Sequence, residues 1–450
     1  MKDFLTVYLK AKNYWWDNKP VRDEDAGILR NSYLEKMEDA LKPDRIVCIS
    51  GIRRAGKTTL MFQLIRKLLE SAEAKKIVYF KMDDLLGKVE DIRDIVSLCH
   101  ELTGINPMEE QVFFFIDEIH FMKNWQLQLK YYIDAHFKSK FIISGSSKTL
   151  LYKDASESLA GRITFIDVFP LSFREFLEFN SINLGSNEFG IDSRFEDIKR
   201  VYTGLITQRE KILYHLKEYL DVGGFPEWFK VKAMPEWGKL LREYLSLILF
   251  KDIVNVFKIK DALLLEKLVS EIALLSTERF SYLSLSNRLD ADRETIKLYL
   301  YYLKSSMLIF TADVFTRSRR INERKEKKIY FGEEGLRKAL SLETDEAKAV
   351  ENIVALHLIK KGFSSKLFYM PYYWKNKYEV DFVYASGKLL LPIEVKYRVD
   401  AGDFRGMLEF MEKFKVRKGI IISRDLLEKK KIKDKEIYLI PAWLFLLLLD

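Results

Sequence analysis

The chain has 450 residues, 48% of them hydrophobic and 31% charged; that length exceeds what one core fills, so two to four domains are expected. Its 75 basic residues exceed 66 acidic ones for a formal net charge of +9, a diluted excess that permits an anionic partner without pointing to one. Two cysteines, Cys48 and Cys99, exclude a disulfide framework and read as buried thiols in a reducing compartment. The histidines His100, His120, His136, His215 and His357 lack metal-ligand spacing. The N-terminus leads into no apolar signal region and no run of eighteen apolar residues occurs, so a cytoplasmic protein with no membrane partner is expected. The greasy stretch Ala442 to Leu449 reads as a buried terminal helix or strand.

In chain order, residues 1–42 mix aromatic and charged residues with helical periodicity and are expected to pack a helix or two onto the first domain. Arg45 to Ser50 reads as a short buried strand and Leu60 to Leu69 as a helix. Between them Gly51-Ile52-Arg53-Arg54-Ala55-Gly56-Lys57-Thr58-Thr59 fits G-x-x-x-x-G-K-[ST] at every defined position. In that P-loop the backbone from Gly51 through Arg53, Arg54, Ala55 and Gly56 to Thr59 closes around a polyphosphate at a helix N-terminus. Lys57 reaches the β/γ-phosphates of ATP, and the Thr58 hydroxyl ligates Mg²⁺.

Lys76 to Phe80 is a second strand, followed by a helix through about Leu102. Val112 to Ile116 then runs apolar into Asp117 and Glu118, the form of a Walker B strand. Asp117 is placed to hold the Mg²⁺ water shell, and Glu118 to orient or deprotonate the attacking water. Lys123 to Phe137 reads as a helix, and Lys140 to Ser147 as a strand ending in small polar residues. There Ser144 or Ser146 either senses the γ-phosphate or belongs to a turn rich in Ser and Gly for backbone reasons. Arg162, before the strand Ile163 to Val168, is either an arginine finger, in cis or across a subunit interface of a homo-oligomer, or an exposed arginine at a strand start.

The segments GIRRAGKTT, FFFIDE, ISGSS and LAGR, followed by FPLSFREFLEF, resemble an archaeal and bacterial family of AAA-type ATPases. The resemblance covers nearly the whole chain. It implies a three-layer αβα P-loop ATPase domain, a helical winged-helix region and a small α/β restriction-endonuclease-like C-terminal domain of the PD-(D/E)XK kind. The expected boundaries are 1–205 for the ATPase with its N-terminal helices, 206–340 for the helical linker and winged helix, and 341–450 for the nuclease-like part.

Residues 206 to about 270 are helical by periodicity, broken at Gly223-Gly224-Phe225-Pro226, which reads as a helix break. Leu283 to Leu289 followed by Asp290 to Leu303 then reads as helix, short polar turn, helix, a helix-turn-helix, with Met307 to Phe315 as a wing strand. A recognition helix there would put Arg293, Thr295, Lys297 and Tyr301 near a DNA groove, whereas winged helices also serve as protein–protein spacers. The run from Arg317 through Lys328 is the densest basic stretch of the chain.

Val350 to Ile359 reads as a helix, and Tyr378 to Tyr384 and Leu389 to Lys396 as a hairpin able to bring Asp381, Glu394 and Lys396 together. Two carboxylates there could hold divalent cations beside a lysine that positions or activates water, or the three groups could be surface ion pairs. The trio resembles the D…E-x-K pattern of PD-(D/E)XK nucleases, and Glu351 matches the extra acidic residue often seen in them. Arg398 and Lys413 to Lys418 could meet a phosphate backbone or be solvated. Two functions remain open: a DNA-processing ATPase with a metal-dependent nuclease, or a nucleotide-switched regulator or scaffold whose C-terminal domain binds DNA or protein without cutting.

Overall fold

The structure is a computed structural model that describes residues 2–42, 45–146, 151, 158–185, 190–316, 326–341, 345–364, 371–387, 389–397 and 403–449. The chain divides into two compact units, Met1–Phe169 with Ser305–Met307, and Pro170–Lys304 with Leu308–Asp450.

The first unit is built on five parallel strands: β1 (Ile46–Ser50), β2 (Ile77–Lys81), β3 (Phe113–Asp117), β4 (Lys140–Gly145) and β5 (Ile163–Asp167). They lie in the order β2-β3-β4-β1-β5. Their sequences are nearly continuous apolar runs, as a sheet covered on both faces requires. On one face Val78, Phe80, Phe114 and Ile116 share a core with the helices Ile92–Thr103 and Trp125–Asp134. On the other, Phe62 of the helix Lys57–Leu68 packs its ring 4.8 Å from Tyr79. This parallel α/β sheet is the architecture expected of a P-loop ATPase domain.

The N-terminal residues have a specific task. β2 is an edge strand, and its outward backbone groups would be open to pairing. Asn13 closes the ladder as a strand would: its Nδ2 donates to Tyr79 O at 2.9 Å and its Oδ1 accepts from Tyr79 N at 2.6 Å. The indole Nε1 groups of Trp15 and Trp16 donate to Ile77 O at 3.0 and 2.9 Å, and the Tyr8 hydroxyl accepts from Lys81 N at 3.0 Å. Residues 8–16 thus finish this edge of the sheet.

In the second unit, the helices Arg209–Val222 and Met234–Ser246 confirm the helical reading of this region, and the latter continues into a π-helical stretch, Leu247–Val254, that periodicity did not reveal. The break at Gly223-Gly224 is a close crossing of backbones. A Cβ on Gly223 (φ 79°) would meet Glu333 Oε1 at 1.9 Å, and one on Gly224 would meet Leu171 O at 2.6 Å. Glu333 is buried here and accepts from Gly224 N at 2.6 Å and Leu336 N at 2.8 Å, so it ties the glycine turn to the start of the helix Glu334–Leu340. Gly223→Ala is therefore expected to destabilise the chain by about 2–3 kcal/mol; chemical denaturation followed by far-UV circular dichroism measures it.

The helices Tyr282–Leu289 and Arg293–Ser305 lie where two helices were expected. The strand expected at Met307 to Phe315 is shorter, β7 (Ile309–Ala312), and lies in a three-stranded sheet ordered β6-β8-β7, with β6 at Arg279–Phe280 and β8 at Lys327–Phe331. Lys327 and Lys328, expected to end a basic run, instead open β8, because Ile329, Tyr330 and Phe331 behind them are fully buried. The rest of that run, 317–325, lies outside the described residues, as do Ser147, Lys388 and Arg398.

The last region begins with the helix Glu346–Ser364. A meander of β9 (Tyr372–Lys375), β10 (Glu379–Ser386) and β11 (Leu389–Lys396) comes next, then the helix Arg405–Phe414 and β12 (Lys418–Ser423) parallel to β11. β13 (Glu428–Ile432) and β14 (Lys435–Pro441) complete a sheet ordered β13-β14-β12-β11-β10-β9. The greasy terminus is a buried helix, Ala442–Leu449. Among the described residues no helix is long and apolar enough to cross a membrane.

Candidate functional site

The loop after β1 turns sharply because its residue types permit it. Arg54 (φ 71°) and Gly56 (φ 97°) adopt left-handed backbone, and a Cβ on Gly51 would sit 2.1 Å from Val168 O. Glycine alone fits that close approach. The helix Lys57–Leu68 begins at once, so the loop and the first helical N–H groups face the same space. The Lys57 ammonium is buried and donates to Gly51 O at 2.9 Å and Ile52 O at 3.3 Å.

Parallel pairing of β1, β4 and β3 brings the ends of these strands to one edge of the sheet. There Asp117 is fully buried and gathers hydroxyl donors from three elements. Thr58 Oγ1 donates to Asp117 Oδ2 at 2.7 Å, the Tyr79 hydroxyl to the same oxygen at 3.0 Å, and Ser144 Oγ to Oδ1. Ser144 Oγ in turn accepts from Glu118 N at 3.0 Å. Glu118 itself has left-handed backbone (φ 54°), uncommon for a residue with a side chain. Its Oε2 lies 3.3 Å from His120 Nδ1. A hydroxyl and a carboxylate oxygen 2.7 Å apart beside the loop and the helix N-terminus are oxygen donors of the kind Mg²⁺ takes, so these residues fit the metal.

Of the residues expected at this site, Gly51, Gly56, Lys57, Thr58, Asp117, Glu118 and Ser144 come together. Ser146 is buried just beyond β4, Ala55 is buried in the loop, Arg53 and Thr59 are half-buried beside it, and Arg54 is exposed. Arg162 is not brought in. It precedes β5, which pairs in parallel with β1, so it lies at the opposite edge of the sheet from the P-loop and binds Asp134 Oδ1 at 2.8 Å. An arginine before a parallel strand cannot share an edge with residues that come after one.

Three participants escaped the sequence. Tyr79 looked like one more apolar strand residue, yet its hydroxyl serves Asp117; burial, then the neighbouring carboxylate, pushes its pKa well up and keeps it a donor. Ser50 Oγ donates to Asp167 Oδ1 at 2.7 Å and ties the tip of β1 to that of β5 just before the loop. Arg30 is buried, and its guanidinium donates to Ala55 O at 2.9 Å and Phe169 O at 3.0 Å, which holds the loop from outside.

The second candidate cluster differs from its expectation. Phe382 of β10 pairs with Ile393 of β11, which sets Asp381 beside Glu394 as anticipated, and Val395 N donates to Asp381 Oδ2 at 2.9 Å. Lys396 lies 3.2 Å from Glu394 Oε1 but also donates to Asp403 O. The cation at the centre is Lys328 of β8. Its buried Nζ lies 2.8 Å from Asp381 Oδ1, 2.9 Å from Glu379 Oε1 and 3.0 Å from Glu351 Oε1. Burial opposes its charge, but Asp381 and Glu351 outweigh burial and hold its pKa well above the ordinary value. Among the described residues no group of three His, Cys, Asp or Glu is arranged to hold a metal ion.

Burial, with Asp381 adding to it and Lys396 opposing, raises the Glu394 carboxyl from 4.5 to about 7. The native state therefore keeps a proton that the unfolded chain loses above about pH 4.5. Stability from this group is full below the unfolded pKa and declines as pH rises to about 7. Glu394→Gln should flatten that slope, by up to about 3 kcal/mol, in urea denaturation across the window.

On the expected recognition helix Arg293 and Tyr301 are exposed. Lys297 is engaged by Glu294 at 2.7 Å, and Asp292 caps the helix by accepting from Thr295 N at 2.9 Å.

A model described as an AAA domain matches residues 43–177, and two described as domains of unknown function, DUF8612 and DUF4143, match 213–347 and 347–445. The uncharacterized protein MJ1544 of Methanocaldococcus jannaschii is 29% identical over 90% of this chain and 89% of its own. A solved structure described as the Walker-type ATPase PABY2304 of Pyrococcus abyssi aligns with 72% of this chain and 99% of its own at 16% identity and a TM-score of 0.44. The uncharacterized protein MJ1637 of Methanocaldococcus jannaschii is 30% identical over 96% of this chain and 90% of its own. The chain therefore belongs to one family with MJ1637, and its own residues 43–177 are an AAA-type P-loop ATPase domain.

Proposed function

We infer that the chain is a Mg²⁺-dependent ATPase whose turnover drives a conformational change on a nucleic-acid partner, with DNA as the substrate class. The observation that carries the catalytic part is the convergence of Thr58, Ser144 and Tyr79 on Asp117 beside the P-loop.

Each part of the site has its own task in turnover. Backbone N–H groups of the loop and the first helical turn bind the phosphates of ATP. Lys57 leaves the carbonyls of Gly51 and Ile52 and takes up negative charge on the β/γ-phosphates. Thr58 and Asp117 would hold Mg²⁺, which would supply positive charge to offset the negative charge of the transferring group. Glu118, with His120 beside it, orients the attacking water and accepts its proton. Ser144 links the two carboxylate residues, so that its hydroxyl is available to respond to the γ-phosphate. Arg162, at the far edge of its own sheet, would complete a site only from a neighbouring copy in a homo-oligomer.

The division into an ATPase at 1–205, a winged-helix region at 206–340 and a nuclease-like domain at 341–450 belongs to this reading, with 170–205 packed into the second unit. A helix-turn-helix beside a three-stranded sheet supports the winged helix, and the order helix, three-stranded meander, helix, parallel strand supports the nuclease-like domain. In the cutting form of this reading, Glu351, Asp381 and Glu394 would hold metal and Lys396 would activate water. The position of Lys328 favours the second form, a nucleotide-switched regulator whose C-terminal domain binds without cutting. Stimulation of phosphate release from ATP by duplex DNA tests the partner; an unchanged rate at saturating DNA would reject it.

A further inference from the structure

We propose that the carboxylate cluster of the C-terminal region is a metal-free site whose cation is the chain's own Lys328. The proposal rests on the nuclease-like reading of residues 341–450 and specifies what that domain cannot do: bind a catalytic divalent ion and hydrolyse phosphodiesters.

Donor count is the first consideration. An ammonium has three N–H groups, and Lys328 Nζ faces three carboxylates, Glu351, Glu379 and Asp381, at 2.8–3.0 Å. A divalent ion drawn to the same oxygens would sit about 2.0–2.6 Å from each, in the space the ammonium fills. The two cations would then share ligands and repel across a buried, weakly screened gap. Two further oxygens of these carboxylates are also engaged. Asp381 Oδ2 accepts from Val395 N at 2.9 Å, and Glu379 Oε2 faces Arg279 at 3.3 Å and Lys375 at 3.8 Å.

Positive charge is supplied without a metal: Lys328 lies beside Glu351, Glu379 and Asp381, Arg279 and Lys375 beside Glu379, and Lys396 beside Glu394. Nor can Lys328 easily withdraw: its side chain is 4% exposed, and its strand is paired on both sides, with Arg279 in β6 and Ala312 in β7. The residue thereby joins the three-stranded sheet to the helix Glu346–Ser364 and to β10, where a nuclease would keep an open cation position.

Manganese calorimetry on the nucleotide-free full chain, alongside a cleavage assay on plasmid, single-stranded DNA and RNA with Mg²⁺ or Mn²⁺, tests this. The expected result is no Mn²⁺ uptake that differs between wild type and Asp381→Asn, and no cutting by either. One equivalent of Mn²⁺ bound by wild type and lost in Asp381→Asn, or cutting lost in that variant, would overturn the proposal. Lys328→Met, which strands the carboxylates, should lower the melting temperature, and Mn²⁺ should restore part of the loss. A melting temperature equal to wild type would count against the assignment. ATP turnover of the same preparation, which requires Lys57, reports separately on the ATPase.

Discussion

Lys57→Ala is expected to lower the rate of ATP hydrolysis by about 10³-fold while the protein stays folded. The ammonium is the one positive side chain that the P-loop buries, and its two partners, Gly51 O and Ile52 O, are backbone acceptors of the loop itself. In the transition state the transferring group spreads charge over its equatorial oxygens, and a fixed cation aimed there lowers the barrier without reorganisation. Alanine keeps the helix start, since it has the highest helix propensity, so the loss should appear in kcat with an unchanged circular dichroism spectrum. Retention of wild-type kcat would remove Lys57 from the mechanism.

Asp117→Ala should abolish Mg²⁺-dependent turnover and also cost about 2–4 kcal/mol of stability. The second effect comes from the geometry. Three hydroxyls, from Thr58, Tyr79 and Ser144, donate to this one buried carboxylate, and its removal leaves them without acceptors. Tyr79→Phe removes one donor and keeps the carboxylate, so its stability loss should be smaller, about 1 kcal/mol, with activity reduced and not lost. Parallel urea denaturation and phosphate-release measurements on the two variants separate these contributions. Equal stability of Asp117→Ala and wild type would mean that the hydroxyls do not depend on Asp117.

How much of this was legible in the sequence depended on whether the chemistry was local. The P-loop and the strand ending in Asp117 and Glu118 each fit within ten residues, and a buried parallel strand delivers its last residue to the ligand edge whatever its neighbours are. Lys328 could not be found this way. It lies 53 residues from Asp381 and 23 from Glu351, and it ends the densest basic run of the chain, so only tertiary pairing of β8 exposes its role. Asn13 was hidden for a related reason: its two hydrogen bonds to Tyr79 matter only because β2 turns out to be an edge. Arg162 is different, because the information was available. A residue that precedes a parallel strand lies at the edge away from residues that come after one, and that rule separates it from the P-loop without coordinates.

The glycine turn at Gly223-Gly224 shows the limit of local rules from another side. A helix break describes the backbone there but not why two glycines are needed. The reason is the approach of Glu333 and Leu171, more than a hundred and about fifty residues away, to within contact of the absent Cβ atoms.

The central claim is that the edge formed by the P-loop, Thr58 and Asp117 binds ATP together with Mg²⁺. Calorimetric titration of ATP into the full chain, with and without Mg²⁺, tests it most directly. The account predicts one ATP per chain, tighter with Mg²⁺, with the metal's effect lost in Asp117→Ala and binding weakened in Lys57→Ala. The absence of nucleotide binding by folded wild-type protein, or binding indifferent to both substitutions, would contradict it.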